Sequence, residues 1–157
     1  EAPGLDVEYG HPLLGPPENI AAVAKTLEPR FGGEDSYSIV CGHGSKDVPG
    51  YNLPYLMLDD YLRKHSPRVC LATLDGAPGT DAAFRDARAS GSPKIQFVPL
   101  LFVDSRHTSQ DIMGEDAASY RSQLGLPATL ADNLSRNAPV LEMLAAGAEM
   151  ALKRFVR

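Results

Sequence analysis

Three short and nearly continuous apolar runs punctuate the chain, at 37–41, 69–74 and 95–103. They are bounded by glycine, proline and polar residues and lack strict alternation, the pattern of strands buried on both faces of a helix-covered sheet. The stretches between them carry a helical period. Behind Pro16, Pro17 and Glu18, the residues Ile20, Val23, Ala24 and Leu27 predict a helix closed by Pro29 and the pair Gly32, Gly33. Leu53, Leu56, Leu58, Tyr61 and Leu62 predict a second helix from about Asn52 to Lys64, ended by Pro67, and Thr80 with Asp81 opens a third through Phe84, Ala87 and Arg88. After Gly114 the pattern predicts a helix carrying Ala117, Tyr120 and Leu124, then a last short strand at 126–131. An amphipathic terminal helix over 140–155 is expected to turn Leu141, Leu144, Ala148, Met150 or Ala151, and Leu152 to the sheet. Residues 1–16, rich in glycine and proline, read as an entry segment. Alternation of strand and helix predicts an α/β fold, a three-layer sandwich with a mainly parallel four-stranded sheet and right-handed crossovers.

The polar residues just past each run carry the candidate chemistry. The first run ends in Gly42-His43-Gly44-Ser45, the second in Asp75-Gly76, and His107 stands four residues beyond the third, before a helix start with Thr108 and Ser109 as candidate caps and Asp111 in the first turn. Parallel strands would bring His43, Asp75 and His107 to one edge, the edge where open α/β sheets hold their ligands. Two imidazoles and a carboxylate form a donor set for a divalent metal. Taken alone, Asp75 reads more readily as a turn or cap residue, and its position beside two similar histidine sites is what lifts it. The GHGS stretch is not a phosphate-cradling loop, which needs a longer glycine spacing and a lysine followed by Ser or Thr. His11, in a loop, and His65, at a helix C-terminus, read as solvated side chains.

Composition narrows the function class. At 157 residues with 43% hydrophobic content the chain suits one domain, 1–157, with one core. A net charge of −5 and the lack of a basic stripe argue against nucleic acid as a partner. The longest apolar run falls far short of the ~20 residues of a membrane span, and no secretory signal is visible. The expectation is a cytoplasmic protein that has lost an upstream piece, since it opens on Glu1. Cys41 and Cys70 fall inside the first two runs and read as packed thiols. A cysteine hydrolase is disfavoured because neither thiol follows a strand end.

With these residues in place, the chain resembles the anaerobic cobalt chelatases of the CbiK type, sirohydrochlorin cobaltochelatases of the class II chelatase superfamily. The resemblance is to their C-terminal half and runs from about Pro12 to Lys153. It is carried by His107 with Asp111, Ile112, Gly114, Glu115, Asp116 and Ser119, by GHGS at 42–45, and by Thr73-Leu74-Asp75-Gly76. It implies a chelatase-like (flavodoxin-like) half with the N-terminal half absent. It implies His43 and His107 as metal-binding and proton-accepting residues, with Asp75 as the acidic third member where the family usually has glutamate. The implied metal set is therefore His43, Asp75 and His107.

The implied reaction is insertion of a divalent metal, Co2+ first and Fe2+ or Ni2+ as alternatives, into sirohydrochlorin in cobalamin or siroheme biosynthesis, with the metal as substrate and no organic cofactor. Lys46 and Arg106, flanking the two histidine sites, are placed to meet the carboxylates of a tetrapyrrole beside Gly44 and Ser45, with Ser105 adding a hydrogen bond. Short relatives obtain the second half by homodimerisation, so the expected assembly is a homodimer or pairing with a separate N-terminal half. The alternative of another class is a non-catalytic metal or tetrapyrrole carrier.

Overall fold

Four parallel strands, β1 (Ser36–Gly42), β2 (Val69–Thr73), β3 (Lys94–Pro99) and β4 (Ala128–Leu130), form one sheet in the order β2-β1-β3-β4. This is a computed structural model in which residues 7–155 are described. Ile39 faces Cys70 on one side and Phe97 on the other, and Gly42 faces Thr73, so β1 is the central strand on which the others are registered. The helices are α1 (Asn19–Leu27), α2 (Leu53–His65), α3 (Thr80–Ala89), α4 (Tyr120–Leu124) and α5 (Ala138–Phe155).

The two faces of the sheet bury different residues, because successive side chains of a strand point to opposite sides. Val40, Leu71 and Val98 pack with Ile20, Leu27, Leu58, Leu62 and Val140 of α1, α2 and α5. Ile39, Cys41, Cys70 and Phe97 pack on the other face with Ala83, Phe84 and Ala87 of α3 and with Tyr120 and Leu124 of α4. Each fully buried Leu, Ile, Val or Phe contributes about 1.5–3 kcal/mol. This is the three-layer α/β sandwich expected from the alternation of runs, with every strand pair parallel.

Three expectations are corrected. The third apolar run is strand only to Pro99: after Leu100 donates its N–H to the Cys41 carbonyl (2.8 Å), the carbonyls of Leu101 and Phe102 accept from Leu134 and Ser135 instead (2.9 and 3.0 Å). Phe102 and Val103 are exposed, because the short β4 pairs only with the first part of β3 and leaves the chain free to bend away. On α5 the inward stripe is Val140, Met143, Leu144 and Gly147. Leu141, Ala148, Met150 and Leu152 point outward, while Val140 is fully buried at the start of the helix and buried Gly147 faces the backbone at Gly10 and His11. The helix after Gly114 is confined to Tyr120–Leu124, its N-terminus capped by the Ser119 hydroxyl, which accepts from the Ser122 N–H (3.2 Å) and leaves Ala117 in the turn before it. Of the entry segment, residues 1–6 lie outside the described residues, and 7–16 add no strand.

Candidate active site

The three loops that follow β1, β2 and β3 meet at one edge because the strands are parallel and adjacent. Sheet pairing continues into the first two loops: Leu74 donates its N–H to the Gly42 carbonyl (3.0 Å) and Asp75 to the His43 carbonyl (2.8 Å). Gly44 has φ +74°, and a Cβ there would lie 2.5 Å from the Asp75 carbonyl oxygen and 2.7 Å from Thr73 Cβ. Only glycine tolerates both the left-handed backbone and this approach. Asn52, 5% exposed, fixes the same loop from below. Its Oδ1 accepts from the Ser45 N–H (2.8 Å) and its Nδ2 donates to the Ser45 carbonyl (2.7 Å).

His107 is delivered differently. Ser105 anchors a wide helical turn over His107–Ile112: its hydroxyl accepts from the His107 N–H (3.2 Å), and its carbonyl accepts from the N–H groups of Thr108 and Ser109 (both 3.1 Å). The Thr108 hydroxyl accepts in return from the Ser105 N–H (3.0 Å). The expected caps Thr108 and Ser109 are thus inside the turn, and Ser105 is the cap. Thr108 is the residue that reaches back, as in a capping box. The turn is of π type, with Met113 donating to the Thr108 carbonyl (3.2 Å).

The two imidazoles come together with ring centroids 4.9 Å apart and planes at 84°. His43 Nδ1 lies 2.9 Å from the Gly44 carbonyl oxygen, which can only accept, so Nδ1 carries the proton and Nε2 the lone pair. His107 Nδ1 lies 2.7 Å from Asp111 Oδ2. With Asp111 ionised, Nδ1–H donates, and in the neutral ring Nε2 is again the lone-pair atom. Asp75 is at the same edge, with Oδ1 3.8 Å from Lys46 Nζ in a partly exposed pair of the kind worth at most about 1 kcal/mol. Among the described residues no group of three or more His, Cys, Asp or Glu side chains is gathered closely enough to hold a metal ion. The structure brings His43 and His107 together and does not add the Asp75 carboxylate as a ready third donor.

Two hollows lie near this edge of the sheet, one of them beside the His107 turn. One, of about 340 Å3, is lined by Arg106, Gln110, Asp111, Glu115 and Asp116. The other, of about 460 Å3, is an apolar groove formed by Leu13, Leu14, Tyr51, Tyr55, Leu100 and Phe102. Tyr55 belongs to both groove and site, because its ring covers Gly42, where a Cβ would stand 2.7 Å from it. A third hollow, about 800 Å3, lies at the opposite end of the sheet beside Gly32, Ser36 and Arg68, away from the histidines.

The remaining candidates fall to structural roles. Cys41 and Cys70 are fully buried, and burial pushes the Cys70 thiol up to about 12 and the Cys41 thiol higher still, so neither is a nucleophile near neutral pH. His65 stacks on Tyr61 at 4.1 Å and donates from Nδ1 to the Tyr61 carbonyl (2.8 Å). His11 is exposed. Sequence reasoning missed the part played by Asn52, for which no local pattern exists. It noted Asp111 as an acidic first-turn residue and as part of the stretch that carries the resemblance but gave it no partner, although the four-residue spacing from His107 on a helical segment is itself a signal for a side-chain pair.

Comparison with known proteins now bears on this geometry. The family profile for cobalt chelatase (CbiK) matches residues 5–131, which include all three site loops. A sirohydrochlorin cobaltochelatase, CbiKC, from Nitratidesulfovibrio vulgaris (strain Hildenborough) is 29% identical over 118 residues, covering 73% of this chain and 41% of that protein. The chain therefore spans less than half the length of this curated relative. A crystal structure from Marinobacter aquaeolei VT8, described as a cobalamin (vitamin B12) biosynthesis CbiX protein, is similar in fold with a TM-score of 0.60 at 19% identity, over 76% of this chain and 98% of its own. On the breadth of the profile match, supported by the same α/β architecture, the chain belongs to the cobalt chelatase (CbiK) family.

Proposed function

We propose that this chain inserts a divalent metal ion, Co2+ before Fe2+ or Ni2+, into sirohydrochlorin. The observation that carries the reading is the pair of imidazoles 4.9 Å apart, each with Nδ1 engaged by an oxygen acceptor, which leaves Nε2 as the lone-pair atom of the neutral ring. A metal bound at about 2.1 Å by an imidazole nitrogen lies about 3.2 Å from the ring centroid, so two rings on adjacent positions of one ion stand about 4.5–5.2 Å apart. The observed separation falls in that interval. Neutral imidazoles suit late first-row divalent ions and also accept protons.

In the reaction the tetrapyrrole loses two pyrrole N–H protons as two nitrogen lone pairs and two anionic nitrogens close on the metal. His43 and His107 present the ion and take up the released protons, passing them to water. Asp75 attracts the cation to the edge and can approach it by releasing Lys46. Lys46 and Arg106, with Ser45, Ser105 and the Gly44 backbone, meet the substrate carboxylates, which offsets the unfavourable net charge of the chain. The apolar groove and the exposed Phe102 and Val103 offer a surface for the macrocycle face. A single domain of this size cannot enclose a macrocycle, so the proposed working species pairs this domain with a second copy or with an N-terminal half like that of the longer relatives.

His107→Ala and His43→Ala are expected to abolish insertion of Co2+ into sirohydrochlorin, followed by the change in the absorption spectrum, while the fold is retained. Asp75→Ala is expected to cost less, about 10–100-fold, as for a residue acting through another. Parental rates in all three variants would refute the assignment. A carrier that holds metal or tetrapyrrole without turnover is the competing reading, favoured by the absence of a third donor among the described residues. Insertion no faster than in buffer would decide for it.

A further inference from the structure

The two histidines reach the same protonation pattern by different means. His43 is held by a backbone carbonyl, which no side-chain substitution removes. His107 is held by a side chain, Asp111 Oδ2, at 2.7 Å. A histidine without such a partner favours the Nε2–H form, which would leave a proton on the atom that has to bind metal. From this we infer that Asp111 is the positioning residue of the site, holding His107 as the Nδ1–H tautomer with its ring fixed and its Nε2 lone pair available.

The local structure supports this division. His107 and Asp111 are four residues apart in the same wide turn, the spacing at which side chains on a helical segment meet. The turn cannot easily rotate: Ser105 and Thr108 bond each other at its start. At its end Gly114 closes against the Gln110 carbonyl, where a Cβ would collide with that oxygen. The buried Thr108 and Ile112 anchor its inner side. Asp111 itself is partly exposed, with 38% of its side chain accessible, so it contributes little to the core and its removal tests the site rather than the fold. The other ionisable groups on its hollow are Arg106, Glu115 and Asp116. Arg106 carries the one positive charge among them.

This inference rests on the reading of His107 as a metal-site residue, but its test does not need the chelatase reaction. Protein with 15N-labelled histidine, free of metal, is examined by long-range proton–nitrogen correlation, which identifies the protonated nitrogen of each ring. Co2+ affinity is then measured by titration calorimetry on the same samples. The parent is expected to show Nδ1–H at both His43 and His107. Asp111→Ala is expected to convert His107 to the Nε2–H form, leave His43 unchanged, and weaken Co2+ binding about 10–100-fold. Asp111→Asn, whose Oδ1 can still accept, is expected to keep the Nδ1–H form and recover part of the affinity. An Nε2–H His107 in the parent overturns the inference, as does an unchanged His107 tautomer or unchanged Co2+ affinity in Asp111→Ala. A parent with the expected tautomers but no insertion activity would instead count against the proposed reaction alone.

Discussion

Removing the Asn52 amide should loosen the His43 loop at a cost that can be worked from two bonds. Asn52 is almost fully buried and satisfies both backbone groups of Ser45, accepting at 2.8 Å and donating at 2.7 Å. It also fits closely against the second loop, since a Cβ on Gly76 would lie 2.6 Å from its Oδ1. A net contribution of about 1 kcal/mol per bond, with a further penalty of about 1–3 kcal/mol where a buried partner is left unsatisfied, puts Asn52→Ala at roughly 3 kcal/mol. For a chain of this size each kcal/mol moves the midpoint by about 2–4 °C, so calorimetry should show a fall of roughly 6–12 °C. Asn52→Asp is the sharper control. It nearly preserves shape and keeps an acceptor for the Ser45 N–H, but sets an anionic oxygen against the Ser45 carbonyl where a donor stood. It should therefore destabilise at least as much as the alanine variant. Midpoints within 1 °C of the parent for both variants would refute the reasoning, because the two bonds would then carry no net energy.

Three further outcomes are expected. Light scattering at micromolar concentration is expected to find a dimer, or a monomer that inserts metal only when a separate N-terminal half is supplied; a monomer that turns over alone would be inconsistent with the assembly. Cys41 and Cys70 should resist thiol reagents until the chain unfolds. Stability should also fall above about pH 9, where the unfolded thiols ionise while burial keeps the folded ones neutral, which a set of urea titrations across alkaline pH can check.

The parts of the fold legible in the sequence are those set by local pattern. The runs at 37–41 and 69–74 become β1 and β2 almost to the residue, because a strand buried on both faces demands continuous apolar side chains. The run at 95–103 exceeds β3 for the complementary reason: Leu100 and Leu101 are apolar to line the groove and the bend, and hydropathy does not separate burial in a sheet from burial beside one. The phase of α5 was not legible either. Apolar residues surround most of that helix, so the choice of inner stripe, Val140 with Met143, Leu144 and Gly147, falls to tertiary packing. At the site, the convergence of His43 and His107 could be anticipated from strand ends. The Asn52 clamp joins residues across a loop and leaves no periodic trace. The distance of the Asp75 carboxylate from the histidine pair depends on side-chain rotation, about which spacing says nothing.

The meeting of His43 and His107 is also a statement about chain connectivity. His107 and Asp111 share one turn and find each other as soon as that turn is wound, whereas His43 and His107 lie on loops far apart in sequence and meet only when β3 has docked beside β1. An ion engaging both rings therefore staples two distant segments, and its binding energy is added to the stability of the folded state: about 2.7 kcal/mol at a free concentration one hundred times the dissociation constant. Under the proposed metal insertion the ion has to be given away, so that staple cannot grow strong. The firmness of the cross-link and the ease of release are opposed, and a pair of donors without a ready third one stands on the side of release.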